Sequence, residues 1–145
     1  MQKSSRNGVH GFTLIELMIG LVILSILAAL AYPAALGTVQ RANRADALEA
    51  LTTAANRLEL FYSDNDSYTI DVEALNLTLE DGRAVSENRH YEITVAPGAE
   101  GIVDSYVVTA TAREGDVQAR DEGCTELTLD WLGRRTPAPE DSDCW

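Results

Sequence analysis

From Phe12 the chain runs as one apolar stretch to about Leu36, with Glu16 as the single charge inside it. A helix over 12–36 would be roughly 37 Å long at about 1.5 Å per residue, enough to cross a hydrocarbon core about 30 Å thick. The pattern then turns amphipathic. Leu48, Leu51, Ala55, Leu58 and Tyr62 recur at steps of three, four, three and four, while Arg44, Asp46, Glu49, Asn56, Arg57 and Glu59 fill other positions. A short coiled coil would show the same stripe, but its brevity and alanine content favour packing within the chain. Ser63, Asp64, Asn65, Asp66 and Ser67 favour turns and predict the end of the helix. The next stretch, 68–88, is polar and reads as an irregular connection with one short helical turn over 72–77. Three strands follow, at 91–95, 105–112 and 127–131, separated by Pro97-Gly98, Glu100-Gly101 and Glu114-Gly115-Asp116. Short successive strands favour an antiparallel meander, with Tyr91, Ile93, Val95, Leu127, Leu129 and Trp131 as the face toward the helix. The expected fold is α+β, a long N-terminal helix laid on a small antiparallel sheet.

Charge gives the apolar run an orientation. Lys3 and Arg6 precede it and Arg41 is the first charge beyond it, which holds the N-terminus in the cytoplasm and places the remainder outside. A cleaved secretory signal fits poorly, because the apolar core is too long and small-residue sites such as Ala28-Ala29 lie inside it. Glu16 is the anomaly. A carboxylate at the centre of a span costs about 2.5–3.5 kcal/mol on insertion scales, less near the interface, and its own helix offers no cation within reach. Either it reaches the headgroups or another molecule supplies a partner. Pro33 removes a backbone donor and predicts a kink.

The segment Gly11-Phe12-Thr13-Leu14-Ile15-Glu16-Leu17-Met18 resembles the class III signal of type IV pilins and type II secretion pseudopilins. The resemblance implies cleavage between Gly11 and Phe12 by a prepilin peptidase, N-methylation of Phe12, and pairing of Glu16 with the N-terminal amine of a neighbouring subunit. It also implies that the span is a storage form in the inner membrane, later drawn into a filament core. In such proteins a proline placed like Pro33 bounds a segment that loses helicity in the filament. The resulting organisation is a leader at 1–11, a transmembrane or filament-core helix at 12–36, an amphipathic helix at 37–63 and a head at 64–145.

Removing the leader with Lys3 and Arg6 leaves nine arginines against 23 acidic residues, a formal −14, and no lysine. Such a surface repels phosphate backbones, so nucleic acid is not an expected partner, and Arg134-Arg135 reads as a solvated local exception. Cys124 and Cys144 are the only cysteines; outside the cytoplasm the simplest reading is a disulfide worth roughly 3 kcal/mol for a loop of about 20 residues. A metal site would want four ligands and a redox pair closer spacing. The enclosed segment resembles the variable D-region of type IV pilins, and the C-terminal cysteine pair, the Cys-x-x-Leu-Thr-Leu-Asp strand and the Cys-Trp ending are similar to PilE-type minor pilins. Asp64, Asn65 and Asp66 fail as an EF-hand, since Thr69 and Leu75 stand where Gly and Glu are required. Asn65-Asp66-Ser67 and Asn76-Leu77-Thr78 match the glycosylation triplet, a short and frequent pattern. His90 stands alone, no catalytic set can be assembled, and no enzyme activity or cofactor is expected.

The resulting expectation is a structural, minor subunit of a type IV pilus. Its partners would be the prepilin peptidase, other pilin subunits, the inner-membrane assembly machinery and, before assembly, membrane lipid. The alternatives are a type II secretion pseudopilin and a membrane-anchored periplasmic binding module.

Overall fold

The computed structural model describes residues 12–139 and 142–145, without the side chains of Pro33 and Ala34. Gly11 lies outside the described residues, as does the side chain of Pro33, where the kink is expected. Two compact units meet in sequence between Ala35 and Leu36.

The helix α1 (Leu14–Asn65) belongs to both units. At its start the Thr13 hydroxyl accepts from the Glu16 backbone N–H at 3.3 Å, and Leu17 N–H donates to the Thr13 carbonyl at 3.2 Å. Thr13 therefore caps the helix, and Glu16 sits in its first turn, where a negative charge suits the positive end of the helix dipole. At the other end Asp66 adopts φ +54° and donates its N–H to the Tyr62 carbonyl at 2.8 Å, a left-handed stop that ends the helix at Asn65, two residues beyond the expected boundary at 63.

The second unit carries a six-stranded sheet in the order β1-β2-β3-β4-β5-β6, every neighbouring pair antiparallel. Its long members are β3 (Tyr91–Pro97), β4 (Tyr106–Ala112) and β5 (Glu126–Asp130), the three strands legible in the sequence. Register pairs Tyr91 with Ala112 and Pro97 with Tyr106, then Val107 with Asp130 and Thr111 with Glu126. The link between β3 and β4 is drawn tight at Gly98. A Cβ there would lie 2.6 Å from Ser105 Oγ, and that hydroxyl also accepts from Glu100 N–H at 2.9 Å.

Three elements correct the expectation. The supposedly irregular 68–88 stretch contains a hairpin, β1 (Leu79–Glu80) and β2 (Arg83–Val85), while 72–76 forms turns, with Asn76 N–H donating to the Glu73 carbonyl at 3.0 Å. Asp81 and Gly82 both have positive φ, the conformation that a two-residue hairpin turn demands. A 3-10 helix (Val117–Arg120) occupies the link between β4 and β5, capped by the Asp116 side chain, which accepts from Gln118 N–H at 2.9 Å. Finally β6 (Arg135–Thr136) adds an edge to β5.

The core lies between the second half of α1 and one face of the sheet. Ala47, Leu51, Ala54 and Leu58 from the helix cluster with Tyr91, Ile93, Tyr106, Val108, Ala110 and Leu127. Leu51, Leu58 and Leu127 are fully buried, each contributing about 1.5–3 kcal/mol of apolar transfer. The expected sheet face is the observed one, with Val95, Leu129 and Trp131 partly buried at its margin. The helical stripe is centred slightly differently. Ala47 and Ala54 are fully buried, whereas Leu48 is half-buried and Ala55 and Tyr62 lie at the margin. Small side chains on the helix let large ones such as Tyr91 and Tyr106 fill the interval.

Candidate assembly surface

The first half of α1 is almost bare. Phe12 is 84% exposed, Leu14 78% and Leu24 63%, and none of the most apolar 18-residue window is buried within the chain. The window has a mean hydropathy of 2.6, long and apolar enough to cross a membrane. So large a continuous apolar surface marks an interaction site, and an uncovered one is incompatible with stable exposure to water. Glu16 sits within this surface and forms no ion pair among the described residues; Ser25 satisfies its hydroxyl internally, donating to the Val22 carbonyl at 2.8 Å.

Where α1 enters the head, a polar network anchors it. Arg44 donates from Nε and Nη2 to the two oxygens of Asp121 at 2.7 and 2.6 Å, and from Nη1 to the Asp143 carbonyl at 2.7 Å. The bond to Asp121 raises the Arg44 pKa further, against the opposing effect of burial. Alongside it, Gln40 Nε2 donates to the Val117 carbonyl, while Gln118 Nε2 donates to the Gln40 carbonyl and to Tyr91 Oη at 2.7 Å. Two residues past Arg44, Asp46 Oδ1 accepts from both the backbone N–H and the Nδ2 of Asn88 at 3.1 Å. Sequence reasoning placed Arg44 and Asp46 on the polar side of the helix and missed Gln118 and Asp121. A polar residue one position from an apolar stripe is the available signal, and it does not name the partner.

The C-terminal segment is closed by a disulfide between Cys124 and Cys144, both buried, with Cα atoms 5.5 Å apart. Within the loop, Arg134 Nε donates to Asp130 Oδ2 at 2.6 Å and Asp130 Oδ1 accepts from the N–H groups of Leu132 and Arg134. Arg135 lies over the Trp145 ring at 5.2 Å, and Trp145 Nε1 donates to the Pro137 carbonyl at 2.6 Å. Both arginines are exposed, as read, and each also has a partner in the C-terminal segment. Elsewhere Arg83 pairs with Glu92, and Arg89 and Arg113 share Glu80. His90 Nδ1 lies 3.0 Å from Asp116 Oδ2. Among the described residues no group of three His, Cys, Asp or Glu side chains is placed to hold a metal ion.

A helix packed by its second half on a small antiparallel meander, with an apolar first half left uncovered, defines a pilin-class structural subunit. Residues 36–128 match the family model described as "Type IV minor pilin ComP, DNA uptake sequence receptor", and residues 6–32 match the prokaryotic N-terminal methylation motif. The chain belongs to the first of these families, within the type IV pilins, whose members are structural subunits and not enzymes.

Curated relatives include the type II secretion system core protein G of Aeromonas hydrophila, 33% identical over 91 residues, 63% of this chain and 62% of that one. The core protein G of Vibrio cholerae is 27% identical over 72% of this chain and 83% of its own length. The type IV wide pilus major component PilA4 of Thermus thermophilus is 43% identical over 65 residues, 45% of this chain and 50% of its own. The chain covers less than two thirds of the Aeromonas and Thermus proteins.

Proposed function

We propose that this chain is a minor structural subunit of a type IV pilus, supporting pilus assembly, twitching motility and adhesion. It is held in the inner membrane by 12–36, with the N-terminus cytoplasmic and the head periplasmic. The prepilin peptidase cuts between Gly11 and Phe12, and Phe12 is N-methylated. The inner-membrane machinery then assembles the subunit with other pilins into an extracellular filament. The observation that carries this reading is the bare apolar half of α1 in a chain whose head core is built without it. Lipid covers it before assembly and other pilin helices afterwards, and Glu16 takes the N-terminal amine of a neighbour as its ionic partner.

A second reading, a type II secretion pseudopilin, is favoured by the core protein G relatives. The receptor role in the family description gains less support from this head. Of the nine arginines beyond the leader five are in ion pairs and Arg135 stacks on Trp145, within a formal charge of −14.

The test is mass spectrometry of filaments sheared from intact cells. A peptide beginning at methylated Phe12, present well below the major pilin, is the expected result, and Glu16→Ala abolishes it. Processed protein confined to the envelope of piliated cells, with secretion lost on deletion, selects the pseudopilin. Uncleaved protein in the membrane overturns both.

A further inference from the structure

The Arg44 fork spans two segments that are far apart in sequence. Nε and Nη2 take the carboxylate of Asp121, and Nη1 takes the carbonyl of Asp143. Asp121 stands just ahead of Cys124, whose N–H donates back to the Asp121 carbonyl at 2.9 Å, and Asp143 immediately precedes Cys144. The two arms that the guanidinium grips are therefore the two arms that the disulfide joins. A ring runs from Arg44 through Asp121, Cys124, Cys144 and Asp143 back to Arg44, closed in one place by a covalent bond and in another by hydrogen bonds.

Two closures of one ring support each other. With the disulfide formed, Asp143 is already held beside the guanidinium, and its bond costs little further chain entropy. With the disulfide open, the same bond must order the C-terminal segment unaided. Linkage makes the effect reciprocal: whatever factor the disulfide adds to the Arg44–Asp143 contact, that contact adds to the disulfide. Ser142 and Trp145, by contrast, bond within the segment, to the Ala138 and Pro137 carbonyls, and so do not tie it to α1. Arg44 also lies just ahead of Ala47, where the helix first joins the apolar core. A loss at Arg44 is felt in that polar stretch of α1 before it is felt in the sheet.

We propose that Arg44 and the Cys124–Cys144 pair form a redox-linked latch. Closing the disulfide fastens the entry of α1 to the head, and opening it releases that stretch while the sheet stays folded. Arg44 is the positioning residue, holding Cys144 against Cys124. The closing step takes two electrons and two protons from the two thiols and passes them to a disulfide oxidant, which leaves as two thiols. The latch does not depend on which filament the chain joins.

The experiment equilibrates the full chain in detergent micelles with mixtures of reduced and oxidised glutathione, then alkylates free thiols and counts them by mass. Arg44→Lys keeps a positive charge for Asp121 but loses the fork that reaches Asp143. Its disulfide equilibrium constant is expected to fall about fivefold or more. Ile93→Val is a core change on β3, paired with Ala84 and Ala110 and touching neither arm, and it is expected to move the constant by less than about twofold. On reduction of the wild-type chain, hydrogen exchange is expected to quicken over 41–46 and to stay unchanged at Val108. The Arg44→Met/Asp121→Leu pair leaves no charge buried, so it serves if the lysine variant does not fold, and it weakens the disulfide in the same direction. An equal loss in the Ile93 variant, a wild-type constant in both Arg44 variants, or exchange that quickens uniformly through helix and sheet overturns the proposal.

Discussion

Arg44 illustrates how one side chain decides a junction. Its side chain is 12% exposed and that of Asp121 is 5%, so both charges are largely withdrawn from water and each is tolerable only because the other is there. Arg44→Ala is expected to cost about 3–5 kcal/mol, read as the loss in denaturant midpoint with the disulfide intact. The paired change Arg44→Met/Asp121→Leu is expected to cost clearly less, because no lone charge stays buried. A result in which the double change is as damaging as the single one would assign the loss to shape, not charge. None of this was legible in the sequence. Arg44 and Asp46 look like ordinary members of a polar helix face, and their burial arises from residues 77 and 42 positions away. By contrast Glu16 stood out at once, since a single carboxylate in an apolar run needs no partner to be conspicuous.

Among the elements, those with several alternating residues were readable and the shortest were not. β3, β4 and β5 each carry five to seven residues with β-branched or aromatic side chains, so the period of two declares itself. β1, β2 and β6 have two or three residues, too few for any period, although Asp81-Gly82 is a turn signal that marks the first pair. The end of α1 is joined to β4 by Glu59, whose carboxylate accepts from Tyr68 Oη at 3.1 Å and Tyr106 Oη at 3.2 Å. The three rings of Tyr62, Tyr68 and Tyr106 lie with successive centroids 4.7 Å apart. Burial foremost, then the bond to Glu59, pushes the Tyr68 hydroxyl up to about 12. Burial and the Glu59 charge raise that of Tyr106 as well. A group that holds its proton more tightly when folded stabilises the fold below its unfolded pKa of about 10 and loses that contribution as pH rises through its folded value. Stability should therefore fall from about pH 10 upward, and Tyr68→Phe should flatten that fall in melts taken across the range. An unchanged slope would assign the alkaline loss to other groups.

At the scale of the whole molecule, the core cluster begins at Ala47 and draws nothing from the apolar half of α1. A chain starting at Leu36 is expected to fold, remain monomeric and melt cooperatively without detergent, as light scattering and calorimetry would show, whereas the full chain requires detergent or lipid. Aggregation of the shortened form would mean that the apolar half completes the head fold. The sheet adds a consequence for crowding. It opens on two-residue strands at both margins, β1 and β6, so each margin offers a newcomer little backbone to template against. Heads pressed together at high local density therefore resist fusing by strand exchange into a continuous sheet. Such copies stay separable, and an array of them can be taken apart as well as built.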